Sequence, residues 1–586
     1  MDVITSSAFE PSTYGAWIKQ QPTLAALTLI TVLLAFTYWQ ALPKPLPGIP
    51  YTRKSRWKFF GDGLDFVQYS KDTGEGFRWF ATKAAELKSP IFQVFLAPFS
   101  RPIVVITDIQ ELIDMSTRRT REFDRGGFLS GWVGLLFPEG TISMPSHEKF
   151  KDQRNIWSST MTSQFLNAVS APSIHDHTRK LIALWTQKVS LAQGRAFEVS
   201  DDLKQVTFDM LRISDSILIY RSCRIWTAAT GDDLGLITRR IKAAKSPSNE
   251  RRPEISEKVA VFPNPSDLPE IVDACETLVE HLKNMRSSPW LAATKLWVWQ
   301  TWSWKNAWKT KEETMLQLIE RSKAKFGESQ CAMDEVIKRS ALVGSKEGRT
   351  SSSHREMIDE TFSYIVGGHE TTQDTTKWSM KYLTANPVKQ AKLRAALLEL
   401  WPGANAHNLP SHEEIIAAEH PFVEASIQEL IRIALTAPSW TRRTTQDVMV
   451  LGHRVPAGID IFGAPSVQSI EDMDDFQINP EVRSATSRPR ETGSWKRETK
   501  GLFLPERWLN SEGKYDAYAG PMLPFGAGPR GCFGQRLARM ELRIMIIMLV
   551  LSFEFHSVPE EYASFRAEEV INRGPHITYV RPILRT

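Results

Sequence analysis

A ten-residue stretch near the C-terminus, Phe-Gly-Ala-Gly-Pro-Arg-Gly-Cys-Phe-Gly at residues 525–534, restricts what this chain can fold into more than any other segment. Four glycines and one proline predict a tightly turned loop of defined shape, in which several backbone amides can surround one atom. The sulfur of Cys532 is the candidate atom, and a helix that begins after Gly534 would point its positive end at it. The loop therefore predicts a metal-binding thiolate, and the alternative for such a cysteine is a buried structural thiol.

Helical periodicity dominates the rest of the chain and indicates a mostly α-helical domain with small β-sheets. Segments with helical spacing and length include residues 357–382, 412–433 and 535–552, and shorter strand-like runs lie at 91–96, 102–107 and 448–455. The sequence contains no dinucleotide-binding glycine loop, no phosphate-binding loop, no HExxH zinc motif and no internal repeat. It is therefore not typical of an alternating βαβ protein.

Charge and cysteine content exclude several other classes of protein. The 72 Lys and Arg residues exceed the 67 Asp and Glu residues by only 5, which gives no electrostatic case for a nucleic-acid partner. Four cysteines without a CxxC pair are too few for a disulfide scaffold and do not predict a zinc site. The proportions of hydrophobic and charged residues are ordinary for a globular protein.

An uncharged apolar run near the N-terminus predicts a membrane anchor. No charged residue lies between Lys19 and Lys44, and about 20 apolar residues suffice to cross a hydrocarbon core of about 30 Å. Tyr38 and Trp39 lie near the end of the run, where aromatic side chains settle at the membrane interface. The alternatives are a cleaved signal peptide, for which no clear cleavage site follows, and a buried core helix.

Charges on either side of the run predict its orientation and the division of the chain. Basic residues cluster after it, at Lys44, Arg53, Lys54, Arg56 and Lys58, which places the bulk of the protein in the cytosol. Four prolines within residues 43–50 predict a stiff extended spacer. We therefore expect a lumenal segment at 1–22, a transmembrane helix at 23–42, a proline-rich hinge at 43–54 and one large domain at 55–586.

The cysteine loop resembles the haem-binding signature of the cytochrome P450 family, FxxGxRxCxG, at every specified position. The resemblance implies that Cys532 is the axial thiolate ligand of the iron in haem b, and that Phe525 shields the sulfur. It also implies that Arg530 pairs with a haem propionate. The residues of this loop that would hold the cofactor are Cys532, Arg530, Phe525, Gly526 and Gly534.

Two further segments match a buried charge network of the same family. Glu429 and Arg432 form an ExxR pattern on one face of a predicted helix, about one hundred residues before the cysteine. Pro-Glu-Arg-Trp at residues 505–508 resembles the family's PERF segment with Trp508 in place of phenylalanine. The resemblance implies that Glu429, Arg432 and Arg507 form a structural network and take no part in the chemistry.

The sequence Gly-Gly-His-Glu-Thr-Thr at residues 367–372 resembles the oxygen-activation segment of the family's long central helix. Two glycines inside a helix cost about 1 kcal/mol each relative to alanine, and a local opening of the helix beside the iron would give a reason for them. The resemblance implies that Glu370 and Thr371 are the catalytic acid–alcohol pair that organises a water chain. The alternative is a helix merely weakened by glycine.

Two arginines elsewhere would complete the binding of the haem propionates. Residues 147–154 resemble the family's WxxxR helix with Phe150 in place of tryptophan, so Arg154 keeps its position and one propionate hydrogen bond is in doubt. Arg442 fits another propionate contact, although the spacing does not exclude Arg443.

The resemblance covers about residues 45–580 and predicts a mainly α cytochrome P450 fold that inserts one atom of dioxygen into an apolar small molecule. It resembles fungal members of specialised metabolism. Two alternatives are a non-oxygenating haem-thiolate isomerase or dehydratase and a catalytically inactive membrane haem-binding scaffold. The expected partners are NADPH-cytochrome P450 reductase, with cytochrome b5 as an optional donor, and membrane lipid, but no nucleic acid. The expected location is the endoplasmic reticulum membrane, as a single-pass protein with a cytosolic catalytic domain.

The 19 tryptophans are unevenly distributed. Six of them lie within 19 residues, at Trp290, Trp297, Trp299, Trp302, Trp304 and Trp308. Their mixture with lysines is typical of an interfacial patch, and by family order the segment holds the helices of the substrate entrance. The alternative is packing in the core, and the sequence does not decide between the two.

Overall fold

The computed structural model describes residues 22–210, 236–245, 253–263, 269–286, 291–324, 331–347, 353–488, 492–569 and 571–586. Helices form most of it. In chain order the α-helices of four residues or more are Pro22–Ala41, Gly63–Thr73, Arg78–Leu87, Ile109–Thr117, Gly127–Val133, Glu148–Trp157, Ala171–Ala192, Ser200–Met210, Leu236–Lys245, Glu270–Arg286, Leu291–Gln300, Trp302–Ala324, Ala332–Glu347, His354–Ala385, Pro387–Leu400, His412–Ala417, Pro421–Ala434, Ser466–Ser469 and Gln535–Ser552. The prediction of a mainly helical domain is confirmed.

The longest of these, His354–Ala385, is called the central helix below. It begins with a capping box, in which Ser353 accepts a hydrogen bond from the amide of Glu356 and the Glu356 carboxylate accepts one from the amide of Ser353. It is α-helical over its whole length, including Gly367, so the local opening expected of the two glycines is not present in this described helix. The predicted helix at 357–382 is therefore confirmed and extends further at both ends.

Other sequence predictions met different outcomes. The helix predicted at 535–552 is confirmed with the same bounds, Gln535–Ser552, and residues 544–551 are all buried, as in a helix packed on every side. The helix predicted at 412–433 is wrong as one unit, because it divides into His412–Ala417 and Pro421–Ala434. Pro421 begins the second helix, and the residue before a proline is disfavoured in the α region.

Small β-sheets flank the helices. The largest has five strands in the order Ile91–Val94, Ile103–Ile106, Asp460–Gly463, Trp440–Thr444 and Phe123–Asp124. A second sheet has three strands, in the order Phe553–His556, Tyr579–Leu584 and Phe197–Glu198. Three two-stranded sheets are also described: Ala567–Glu569 with Arg573–Pro575, Glu254–Ile255 with Ala260–Val261, and Val448–Val450 with His453–Val455. The strand predicted at 448–455 is thus a hairpin of two short strands.

At the N-terminus the helix Pro22–Ala41 has the composition of a membrane span. Its window Thr23–Ala41 has a mean hydropathy of 1.7 and only 6% of it is buried in the protein. The following proline-rich segment lies against the domain, because the Gln93 side chain accepts a hydrogen bond from the Leu46 amide and donates to the carbonyls of Leu46 and Ile49. The expected spacer therefore packs on the first β-strand rather than standing free.

Candidate active site

A cavity of about 420 Å³ lies between the central helix and residues 525–534, called the cysteine loop below. Its walls combine Cys532 and its neighbours with Gly367 and Thr371 of the central helix. Thr436, Ala437, Ser439 and Trp440 close one side, and most of the surface is apolar. Residues 131–136 do not line it.

The cysteine loop depends on close backbone contacts. Gly528 has φ +67°, and a Cβ atom at this position would lie 1.8 Å from the carbonyl oxygen of Ser116. Gly526 also has a positive φ, +62°, in the region that glycine adopts without strain. These contacts bring the loop back on itself, so that the amide of Cys532 donates to the carbonyl of Phe525 at 2.7 Å. The predicted rigid turn is what the structure has.

Cys532 lies deep in the protein but is accessible from the cavity, which it lines. Burial raises the pKa of its thiol, while the amide of Gly534 and the positive charge of Arg154 act in the opposite direction. Gly534 leaves open space where a Cβ would be. The Cys532 sulfur accepts a hydrogen bond from a backbone amide, lies near a cation and has free space in front of it. These features suit a metal ligand, because metal binding displaces the proton of the thiol.

Four arginines surround the same cavity with little negative charge to balance them. They are Arg125, Arg154, Arg442 and Arg530. Burial and the neighbouring Arg442 and Arg530 lower the pKa of Arg125 to about 9, and its buried Nε has no hydrogen-bond partner in the described part of the chain. Asp124 contacts Arg530 at 3.5 Å, and Glu360 in the cavity wall lies close to Arg154. Such a cation excess fits a ligand with two carboxylates, as haem has, and Arg125 was not predicted from the sequence.

The structure shows which of two consecutive arginines faces the cavity, a choice that the spacing in the sequence leaves open. Arg442 and Arg443 are consecutive in a β-strand, so their side chains point to opposite faces. Arg442 is 4% exposed and lines the cavity, with its guanidinium 4.5 Å from the ring centre of Trp440. Arg443 pairs instead with Asp460 at 2.7 Å on the other face. The geometry thus favours Arg442 for a propionate contact, which stays a prediction.

Arg154 and Arg530 line the cavity and are also bonded to the protein. Arg154 lies in the helix Glu148–Trp157 and donates to the carbonyls of Pro529 and Gly531, which ties this helix to the cysteine loop. Arg530 donates to the carbonyls of Thr141 and Met144. Its guanidinium lies 3.6 Å from the ring centre of Phe150, so the aromatic residue that replaces tryptophan here stacks on an arginine.

The predicted charge network is assembled around Glu429, which is fully buried. Its carboxylate accepts hydrogen bonds from Arg432 at 2.7 and 2.8 Å and from Arg507 at 3.0 Å. The indole N–H of Trp508 adds a fourth donor, at 2.8 Å. Arg432 also donates to the carbonyls of Ser469 and Lys500, so the network joins segments far apart in sequence. The phenylalanine of the family's PERF segment has no such donor, so the N–H gives Trp508 a bonding role at this position.

Glu370 and Thr371 are adjacent in sequence but line different spaces. Thr371 lines the cavity and its hydroxyl donates to the carbonyl of Gly367 at 2.8 Å. Glu370 lines a second space of about 490 Å³, called the outer chamber below, on the other side of the central helix. Burial and the nearby Asp374 raise the pKa of Glu370 to about 7. In this conformation the two groups of the predicted pair face away from each other.

Polar residues from three helices form the outer chamber. Lys204 and Glu276 form an ion pair at 2.5 Å, and both side chains are partly exposed. The His369 ring contacts that of Phe208, tilted by 40° with ring centres 3.8 Å apart, and burial lowers the pKa of His369 to about 3. His369 therefore packs as a neutral side chain.

The tryptophan-rich segment divides into exposed and packed residues. Trp297 is 68% exposed and Trp302 is 78% exposed, and Trp299 is exposed as well. Trp304 is buried and stacks on the half-buried Trp308. Trp290 lies outside the described residues. Trp304 therefore packs in the core, and the interfacial patch stays a prediction for the exposed tryptophans.

Comparison with known proteins gives consistent results. A family model described as "Cytochrome P450" matches residues 259–480 and 501–575. A curated relative, cytochrome P450 monooxygenase GME11363 of Pestalotiopsis microspora, is 31% identical and covers 98% of this chain and 99% of its own. Cytochrome P450 monooxygenase TRI13 of Fusarium sporotrichioides is 27% identical over 95% of this chain and 98% of its own.

Among solved structures, the crystal structure of the cytochrome P450DA heme domain is similar, with a TM-score of 0.67. It is 15% identical, and the similarity covers 93% of this chain and 99% of that chain. At this identity the likeness concerns the fold alone. It confirms the predicted fold class, mainly α with small β-sheets.

Proposed function

Because the chain belongs to the cytochrome P450 family and is a monooxygenase of that family, we propose that it inserts one oxygen atom into an apolar small molecule of fungal secondary metabolism. The single observation that carries the proposal is the cavity itself. It brings an accessible cysteine, four arginines with few counter-charges, and an apolar wall together around one space. Two of the relatives described above come from fungi, which supports the biological setting.

The residues present fit a haem with an axial thiolate. We propose that Cys532 ligates the iron of haem b, and that Gly526 and Gly534 shape the loop with Phe525 beside the sulfur. The propionates would be held by the four arginines of the cavity, which outnumber the carboxylates beside them: Arg125, Arg154, Arg442 and Arg530. When bound, the haem supplies the reductive activation of dioxygen.

The protein's own contribution is to hold the substrate, exclude water and supply protons. Apolar cavity walls, such as those from Ile142, Ala437 and Leu523, favour an apolar substrate. The Thr371 hydroxyl is inside the cavity and is positioned to bond a ligand there. Glu370, whose pKa lies near 7, can hold or release a proton at cytosolic pH from the outer chamber. We propose that rotation of its side chain brings that proton toward Thr371.

Electrons have to come from another protein, and we propose NADPH-cytochrome P450 reductase, with cytochrome b5 as an optional donor. Four basic residues could attract an acidic partner of this kind, namely Lys149, Lys151, Arg536 and Arg539. Lys149 pairs with Glu139 and Glu356, and Lys151 pairs with Glu148. Arg536 donates to a backbone carbonyl and Arg539 to Gln428. The partner is thus proposed from the family's need for electrons rather than from a free basic surface.

We propose that the protein is a single-pass protein of the endoplasmic reticulum membrane, with residues 1–22 in the lumen, the span at 23–42, and the catalytic domain at 55–586 in the cytosol. The apolar helix Pro22–Ala41 and the basic residues that follow it support this orientation. Exposed Trp297 and Trp302 support a second contact with lipid near the substrate entrance.

Product analysis tests the proposed reaction. Microsomes that contain the protein and a reductase would be supplied with NADPH, isotopically labelled dioxygen and a metabolite extract from a fungal strain that lacks the gene. We expect new products that carry one labelled oxygen atom, and no such product from microsomes without the protein. Conversion that proceeds without dioxygen or reductant would contradict the proposal and favour an isomerase or dehydratase.

A further inference from the structure

A carboxyl group without a balancing positive charge lies in the wall of the cavity, at Glu541. The residue belongs to the helix Gln535–Ser552, which follows Cys532, and it is 1% exposed. Its Oε2 accepts a hydrogen bond from the hydroxyl of Thr372 at 3.1 Å. Its Oε1 is buried and has no hydrogen-bond partner among the described residues. One of the two carboxyl oxygens is therefore unsatisfied in the described part of the protein.

The charged residues around Glu541 are engaged elsewhere. On its own helix, Arg536, Arg539 and Arg543 donate to the carbonyl of Met161, to Gln428 and to Glu424. On the facing central helix the titratable neighbour is Tyr364, whose phenol pKa is raised by burial and by Glu541. Cys532 lies in the wall of the same cavity. Within the described ranges, no basic residue forms an ion pair with Glu541.

Burial without a cation favours the neutral form of a carboxyl group, because the ion loses its hydration and gains nothing in return. For this reason the pKa of Glu541 is raised to about 8, with the hydroxyl of Thr372 opposing the shift. The carboxyl is therefore mostly protonated at neutral pH and becomes ionised in mildly alkaline solution.

Glu360 provides an internal comparison. It is also a buried glutamate of the cavity wall, on the central helix. Its two oxygens accept hydrogen bonds from the amide of Thr141 at 2.8 Å and the hydroxyl of Thr141 at 2.7 Å. Arg154 is close enough to stabilise its negative charge. Burial raises the pKa of Glu360 as well, but two hydrogen bonds from Thr141 and the charge of Arg154 oppose that shift, whereas at Glu541 only the hydroxyl of Thr372 opposes it.

We infer that Glu541 is a redox-linked proton site, which in alkaline solution takes up one proton when the haem in the cavity accepts one electron. This inference rests on the proposed function, since it requires haem in the cavity. In the balanced step, ferric haem, one electron from the reductase, one proton from solvent and the Glu541 carboxylate give ferrous haem and the neutral carboxylic acid. The only bond formed is the O–H bond of Glu541.

The physical reason is that charge added to a poorly polarisable interior acts strongly on other charges there. An electron on the haem raises the energy of a carboxylate in the same wall and hence its affinity for a proton. At neutral pH the carboxyl group is already protonated, so the electron enters without this repulsion. In alkaline solution the electron and the proton should arrive together.

The test is a redox titration of the full-length, haem-loaded protein, with carbon monoxide spectra first used to verify a thiolate-bound haem. Because the Glu541 pKa is raised to about 8, the titration would run from about pH 6 to about pH 9.5. We expect the reduction potential of the wild type to fall with pH in the alkaline half of this range. Glu541→Gln should keep the potential seen at low pH and lose that fall.

Glu360→Gln is the matched control, since it also neutralises a buried glutamate of the cavity wall, and we expect it to retain the alkaline fall. Wild-type and Glu541→Gln curves of the same shape over the whole range would overturn the inference. A wild type that never shows thiolate-bound haem would instead contradict the proposed function. The two failures are thereby distinguishable.

A second variant keeps the test usable if Glu541→Gln does not take up haem. Thr372→Val removes the hydroxyl that stabilises the carboxylate, so the alkaline fall should begin at a higher pH. Infrared difference spectra of the wild type, reduced minus oxidised, should show a protonated carboxyl band appearing at alkaline pH. An unshifted onset in Thr372→Val together with no such band would overturn the inference.

Discussion

The indole N–H of Trp508 donates a hydrogen bond to the carboxylate of Glu429 at 2.8 Å, in the centre of the buried charge network. Glu429 is fully buried and also accepts hydrogen bonds from Arg432, from Arg507 and from the amide of Leu504. A buried carboxylate is stable only when its lone pairs are satisfied. Tryptophan at position 508 therefore contributes a donor that phenylalanine cannot supply.

Trp508→Phe should lower the free energy of unfolding by about 1.5–3 kcal/mol, the contribution of a hydrogen bond to a charged group. Thermal or denaturant unfolding of the haem-loaded protein measures the loss. Trp495→Phe is the matched control, because the indole of Trp495 is also buried but donates to the neutral carbonyl of Pro521. Its loss should be smaller, and equal losses in the two variants would contradict the role given to Trp508.

Gly528→Ala should disrupt the cysteine loop, because the new methyl group would meet the carbonyl of Ser116 and the residue has φ +67°. The strained backbone alone costs about 1–3 kcal/mol, and the contact adds to it. We expect a reduced haem content per polypeptide, measured by absorbance. Gly131→Ala is the control, since a Cβ there meets nothing within 4 Å, and it should retain normal haem content. Normal haem content in Gly528→Ala would show that the loop tolerates this change.

Arg125→Ala should weaken haem binding by about 10- to 150-fold, the equivalent of one charge-assisted hydrogen bond of about 1.5–3 kcal/mol. The reason is that the buried guanidinium of Arg125 opens onto the cavity and its Nε has no partner in the described protein. Transfer of haem to an excess of apomyoglobin measures the rate of loss. Arg443→Ala, which breaks the pair with Asp460 on the opposite face of the strand, should leave that rate unchanged. Identical rates of haem loss for the wild type, Arg125→Ala and Arg443→Ala would contradict a role of Arg125 in haem binding.

Glu370 should make the protein less stable as the pH rises from about 4.5 to about 7. Its pKa is raised from 4.5 to about 7 in the folded protein, so over this interval the folded state holds a proton that the unfolded state releases. The contribution of Glu370 is complete below the unfolded pKa and is lost as the pH approaches the folded pKa.

Glu370→Gln should therefore reduce the slope of unfolding free energy against pH in this interval, by at most about 1.4 kcal/mol per pH unit. Glu541 titrates in the same direction and remains in the variant, so part of the slope should persist. Glu313→Gln is the control, since Glu313 is 59% exposed and lies 3.7 Å from Lys309, and it should not alter the slope. An unchanged slope in Glu370→Gln would contradict the buried position of this carboxyl group.

The sequence was sufficient where local pattern and chemistry coincide. The helix Gln535–Ser552, the cysteine loop before it and the convergence of Glu429, Arg432 and Arg507 follow from residue spacing and from a family resemblance. Each of these features is either one continuous segment of the sequence or part of a motif with many specified positions. Tertiary packing therefore had little freedom to alter them.

Features that depend on distant segments could not be predicted in this way. Arg125 has no motif around it, and only the fold brings it beside Arg442 and Arg530. Strand alternation, and not spacing, separates Arg442 from Arg443. Glu541 looks like one charge in an apolar helix until the facing Thr372 and the cavity are known. The tryptophan segment divides because Trp304 faces the core while Trp297 and Trp302 do not.

The most direct measurement of the central claim is the carbon monoxide difference spectrum of the reduced protein, recorded for the wild type and for Cys532→Ala. The account predicts the Soret band of a thiolate-ligated haem in the wild type and its complete loss in the variant, because Cys532 lines the cavity and is the proposed source of the ligating sulfur. Cys275→Ala is the control, since Cys275 is a buried cysteine outside this cavity, and it should retain the band. A thiolate band that survives in Cys532→Ala would contradict the account.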